Sequence, residues 1–205
     1  PITERTQEIA HILSQFHYPD NETVLTPWNV VNMQMNDTLG GWDFFDDRHK
    51  KDFPLPEPRF IDRGKVTKEV FGNPQTKILE LNSKSGVYPL YLAYSVFQEQ
   101  SKPVKNMFGE PMPLSDYGKR KVWDCVVQEN IYVVCKTPMA EKITRRVLAG
   151  YNKKLKLNTV YIDDIISRMK DKKLSPKLIE ELTLPKTYGN RQKKKPMKFN
   201  AIVSN

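Results

Sequence analysis

Apolar residues recur along the chain with two different periods, and the alternation between those periods predicts an α/β architecture. Residues 5–16 place Ile9, Ile12, Leu13 and Phe16 on one face of an amphipathic helix. Thr26-Pro27 opens a second helix, with Thr26 as cap and Pro27 at the first helical position. Val30, Val31 and Met35 share its inner face, and Gly40-Gly41 ends it. Residues 42–76 carry Pro54, Pro56 and Pro58 close together and read as an irregular arm. Strand patterns then follow at Lys77–Asn82, Ile131–Cys135, Thr159–Ile162 and Phe199–Val203. Between them, Gly86–Gln98 is apolar nearly all round and predicts a buried helix in which Tyr88, Tyr91 and Tyr94 serve as core. Val122–Glu129 predicts another helix. Thr137-Pro138 opens one carrying Met139, Ile143 and Val147, one follows Asp163-Asp164, and Ser175-Pro176 opens a short one. Strands alternating with helices predict a mostly parallel sheet covered on both faces. The chain divides into an N-terminal helical segment (1–41), the arm (42–76) and a Rossmann-like domain (77–205).

Charge adds a direction to this picture. The net charge of the 205 residues is +9, and no acidic residue follows Glu181. Lys186, Arg191, Lys193, Lys194, Lys195 and Lys198 give the last 24 residues +6, a concentration that points to a polyanion such as nucleic acid. Lys193, Lys194 and Lys195 are the candidate phosphate contacts. Cys125 and Cys135 both lie in apolar segments, which predicts buried free thiols rather than a disulfide framework. With three scattered histidines and no Cys-x-x-Cys pair, no metal site is expected. No apolar run is long enough to span a membrane, and no signal core follows the N-terminus. A cytoplasmic protein is the expectation.

In an open α/β sheet, ligands bind beyond the carboxyl ends of the strands. The residues there are Asn82-Ser83-Lys84-Ser85-Gly86, Lys136-Thr137-Pro138, Asp163-Asp164 and Ser204-Asn205. The first is a small polar turn whose glycine permits close backbone approach. Lys84 precedes Ser85-Gly86, so the turn is not a Walker loop, and no GxGxxG is present.

The order of these segments resembles the gamma-class DNA adenine methyltransferases, the modification subunits of type I and related restriction systems. The closest likeness is to the large methylase polypeptides of bacterial mobile elements. Leu25–Val31 looks like their TPxxVV opening, and Ile78–Gly86 like their cofactor turn. Asn130–Pro138 looks like their second-strand segment, and Lys198–Asn205 like the strand that leads into NPPY. The resemblance implies a Rossmann-like class I S-adenosylmethionine-dependent fold and methyl transfer to adenine N6 in double-stranded DNA. The implied partners are restriction, helicase or specificity subunits or domains. It places Thr26 and Pro27 near the methionine carboxylate. Glu80, Asn82, Ser85 and Gly86 would lie around the amino-acid half of the cofactor, and Asp164 at its adenine edge. Asn205 would be the catalytic acceptor for the target amine.

Two positions depart from the family pattern. Lys84 stands where glycine is usual, and Cys135 stands where an acid holds the ribose hydroxyls. The chain also ends at the first residue of the NPPY position, so the expectation is a piece of a longer protein. The alternative expectation is a catalytically degenerate module of the same fold that binds DNA or acts as a scaffold.

Overall fold

A computed structural model describes residues 2–15, 25–52, 54–105, 107–190 and 195–204. The N-terminal part holds α1 (Ile2–Ser14), α2 (Trp28–Thr38), a hairpin of β1 (Gly41–Asp43) with β2 (Arg59–Ile61), and α3 (Lys65–Val70). Then come β3 (Ile78–Ser83), α4 (Val87–Gln100), a small hairpin of β4 (Val104–Lys105) with β5 (Pro111–Met112), and α5 (Asp116–Glu129). Next are β6 (Ile131–Cys135), α6 (Pro138–Ala149), β7 (Asn158–Tyr161), α7 (Ile165–Lys170) and α8 (Ser175–Thr183). A 3-10 turn (Pro185–Tyr188) leads to β8 (Ala201–Ser204).

Strands β3, β6, β7 and β8 form one parallel sheet in the spatial order β7-β6-β3-β8. The chain runs outward from β3 through β6 to β7, then crosses back to set β8 on the other side of β3. This order is compatible with a Rossmann-like arrangement and places the topological switch point between β3 and β8.

Strand alternation divides the interior into two cores. Ile78, Ile131, Val133, Cys135 and Val203 face a layer drawn from α1, α2, α4, α5 and α6. Leu79, Leu81, Tyr132 and Val134 face Ile162, Ile165, Leu178, Leu182 and Tyr188. Helix α4 lies within the first layer, and its residues Val87–Phe97 are all buried. Its all-round apolar sequence follows from that position, as expected. Tyr88, Tyr91 and Tyr94 are core residues.

The caps explain where several helices begin. Thr137 Oγ1 accepts from the Ala140 amide at 3.0 Å with Pro138 inside the first turn, and Ser115 Oγ accepts from Gly118 at 3.2 Å. Helix α2 departs from expectation: Pro27 occupies the N-cap position, the helix begins at Trp28, and no side chain caps it. Thr26 is turned to another use, described below. At the far end Gly40 adopts φ 72°, and a Cβ there would stand 2.4 Å from the Ile61 carbonyl oxygen.

Three further expectations are corrected. The arm 42–76 is ordered by the β1–β2 hairpin and α3, around Asp43, which is fully buried. Asp43 accepts from Asn36 Nδ2 at 2.7 Å, Arg59 at 3.1 Å, the Phe45 amide at 2.9 Å and His49 Nε2 at 3.2 Å. Cys125 is exposed, because α5 turns Trp123, Val126 and Val127 to the core and leaves Cys125 on its outer face. On α1, Thr6 and Ala10 are buried while Ile12 is 59% exposed, so the buried stripe is rotated from the one expected. Phe16 lies outside the described residues.

Candidate functional site

The site is built on the last turn of β3. Leu81 pairs with Val134 and Ser83 with Cys135, so Asn82 is an extra residue, a bulge in β3. Its φ is 66°, a left-handed conformation that asparagine tolerates better than most side chains. One inserted residue reverses which face the next side chain meets. Ser83 therefore points to the α6 side, and its Oγ lies 3.5 Å from Thr144 Oγ1.

Thr144 also fixes the glycine. Gly86 has φ 82°, and a Cβ there would lie 3.2 Å from both Thr144 Cα and Oγ1. The space beside Gly86 is thus filled by α6, and the glycine serves close helix packing. Cys135 Sγ contacts the same threonine at 3.9 Å, and burial pushes its thiol up to about 12.

Beneath the turn lies Glu80, only 1% exposed. Burial pushes its carboxyl up to about 8; a hydrogen bond from Ser83 and the charge of Lys84 act in the opposite direction. Glu80 Oε2 has no hydrogen-bond partner in the structure. Across from it, on the first turn of α4, Tyr88 donates to Gln34 Oε1 and shares a hydrogen bond with Thr26. The start of α2 is thereby held against the start of α4.

The structure brings Thr26, Glu80, Asn82, Ser85 and Gly86 to one sheet edge, with Pro27 beside Thr26. Asn82 and Ser85 are buried in the turn. Asp164 stands at the end of β7, two strands from β3, or roughly 10 Å across the sheet. It is exposed, has φ 49°, and occupies the N-cap of α7 without a side-chain cap bond. Lys195 is not part of this edge. It lines a cleft of about 290 Å³ with Lys77 and Asn158, which stand at the opposite, amino ends of the strands. Lys193, Lys194 and Asn205 lie outside the described residues. Ser204, the last described residue of β8, is exposed at the switch point.

Two further residues stand at this edge. Tyr88 was expected only as core, yet its hydroxyl ties Thr26 to α4. Lys136 follows β6, is exposed, and donates its amide to the Ser83 carbonyl at 2.8 Å. Its signal was the single polar residue between an apolar strand and the Thr-Pro cap. Lys84 is half-buried. Its ammonium is held below the usual lysine range by burial and by Lys136, with Glu80 acting the other way. Other clefts lie elsewhere, among them one of about 810 Å³ between α1 and α6 and one of about 530 Å³ among α1, α4 and α5.

Among the described residues, no group of three or more His, Cys, Asp or Glu could hold a metal ion, and no helix is long and apolar enough to cross a membrane. Compared with known protein families, curated proteins and solved structures, the chain matches none.

Proposed function

We propose that this chain is the cofactor-binding part of an S-adenosylmethionine-dependent DNA adenine-N6 methyltransferase of a restriction-modification system. The observation that carries the proposal is the joining of Thr26 to Tyr88 beside Glu80 and the 82–86 turn. Segments more than fifty residues apart meet at the carboxyl edge of the sheet, in the order that the resemblance implies.

The residues fit the methionine half of the cofactor. Glu80 offers a buried carboxyl with one unpartnered oxygen, suited to an ammonium group, and the first turn of α4 offers amides to a carboxylate. They do not fit the ribose half: Cys135 is buried under α6, and the side chain that reaches the edge from β6 is Lys136. When bound, S-adenosylmethionine supplies an electrophilic methyl group. The chain's task is to orient the methionine half and keep water from it. Asn205 would accept a hydrogen bond from the target amine, so position outweighs base strength.

A second reading is a degenerate module of the same fold that binds DNA without catalysis. The closed packing of Gly86 on Thr144 and the buried Cys135 at the ribose position favour it. Retention of labelled S-adenosylmethionine on the folded chain separates the two. The first reading expects saturable retention that Thr26→Val reduces; absence of retention overturns it.

A further inference from the structure

We propose that the groove between α1 and α6 docks an acidic amphipathic helix of a partner chain, with its apolar face on Ile12 and its carboxylates on Lys142, Arg145, Arg146 and Lys153.

The apolar stripe of α1 is wider than the core it meets. Thr6 and Ala10 are buried, Ile9 and Leu13 are half-buried against the core, and Ile12 is 59% exposed. Ile9, Ile12 and Leu13 all line the groove of about 810 Å³, together with Ile143 of α6 and the buried Leu155. Such an open apolar surface bordered by charge marks an interaction site. Helix α6 lines it from Lys142 to Ala149, about two turns, so an occupant of two to three turns matches its length. The border carries one sign of charge. Lys142, Arg145, Arg146 and Lys153 line the groove, all four are exposed, and no acidic residue lines it. The chain from Lys142 to Ile162 holds six cations and no acid. Arg145 donates to the Thr159 hydroxyl at 2.9 Å, and the Arg146 guanidinium lies 3.9 Å over the Tyr151 ring, so both partners are neutral. Among the described residues none of the four cations is in an ion pair. An apolar floor under uncompensated cations selects an occupant with the complementary pattern, apolar on one face and acidic on its flanks. An amphipathic helix presents that pattern, with anchors at i, i+3, i+4 and i+7. A nucleic-acid backbone would meet the cations but set polar groups against the apolar floor, where they find no partners. The inference needs only this groove and does not depend on methyl transfer.

The test titrates the 205-residue chain by fluorescence anisotropy. The probe is a labelled helical peptide of about 14 residues, with Leu at i, i+3, i+4 and i+7 and Glu on its flanks. A scrambled peptide of the same composition, a peptide with Lys in place of Glu, and a labelled double-stranded oligonucleotide are run beside it. Ile12→Ser, Lys142→Glu/Lys153→Glu and the remote control Lys172→Glu/Lys173→Glu are compared, each verified as folded by circular dichroism. The acidic amphipathic peptide should bind the wild type saturably and bind the first two variants about tenfold more weakly or worse. The control carries the same charge change and should match the wild type. No saturable binding by the folded wild type, equal binding of the scrambled or lysine peptide, or equal weakening in the control overturns the proposal. Tighter binding of the oligonucleotide, weakened by Lys142→Glu/Lys153→Glu and not by Ile12→Ser, overturns it in favour of nucleic acid. A dimer in sedimentation equilibrium that Ile12→Ser dissociates overturns it in favour of a second copy of this chain. Retention of labelled S-adenosylmethionine by the same variants reports on methyl transfer separately, so either idea can fail alone.

Discussion

The Thr144 hydroxyl of α6 stands 3.5 Å from the Ser83 hydroxyl of β3, and the same residue fills the space beside Gly86. One threonine thus seats the strand, the turn and the start of α4 against α6. Gly86→Ala should destabilise the fold by about 1–3 kcal/mol, from the positive φ and the crowding together. Urea denaturation checks this. A change below about 0.5 kcal/mol would show that α6 yields without cost.

Glu80 gives the fold a pH dependence of known sign. Its folded-state value of about 8 lies above its ordinary 4.5, so the folded protein holds a proton that the unfolded chain releases. The stability it contributes is fully present below pH 4.5 and is lost as pH rises to about 8. The steepest slope is about 1.4 kcal/mol per pH unit. Glu80→Gln stays neutral throughout, so its stability relative to the wild type should grow between about pH 5 and pH 8. A constant difference would contradict the buried neutral carboxyl.

Asp43 organises the arm by accepting from Asn36, Phe45, His49 and Arg59 at once. Asp43→Ala leaves buried donors without an acceptor and should cost about 3–5 kcal/mol. Arg59→Met, which removes only one partly exposed partner, should cost less. Chemical denaturation of both variants gives the comparison; equal costs would place the weight on Arg59 instead.

The two thiols should react differently. Cys125 is exposed, while Cys135 is buried with its thiol pushed up to about 12. A thiol reagent should modify one cysteine rapidly in the folded protein and the second only on unfolding. Two equally fast phases would place Cys135 at the surface.

The sheet was readable because β3 and β6 are short, wholly buried runs, and α6 was readable from its Thr137-Pro138 cap. The arm was not, because β1 and β2 pair across residues far apart, Trp42 opposite Phe60, and their core is the polar residue Asp43. Local periodicity carries no signal for such pairing. The bulge at Asn82 was hidden for a related reason: one residue in the left-handed region reverses the faces of the turn without changing composition. Thr26 looked like a cap because Thr-Pro is one at α6. Tertiary contact with Tyr88 decides otherwise. Among the candidate residues, Glu80 and the turn were proposed from their place at the end of the first strand, and they lie at the carboxyl end of β3. Lys136 was passed over because the acid was sought one residue earlier, at Cys135.

The most direct test is calorimetry of S-adenosylmethionine binding to the folded chain near pH 7, in two buffers of different ionisation enthalpy. A cationic ligand that meets Glu80 must draw off its proton, so the account predicts saturable binding whose heat differs between buffers by up to about one proton per site. Glu80→Gln should bind more weakly and lose the difference. Absence of binding heat in both buffers, with the fold verified, would contradict the assignment of this sheet edge to the cofactor.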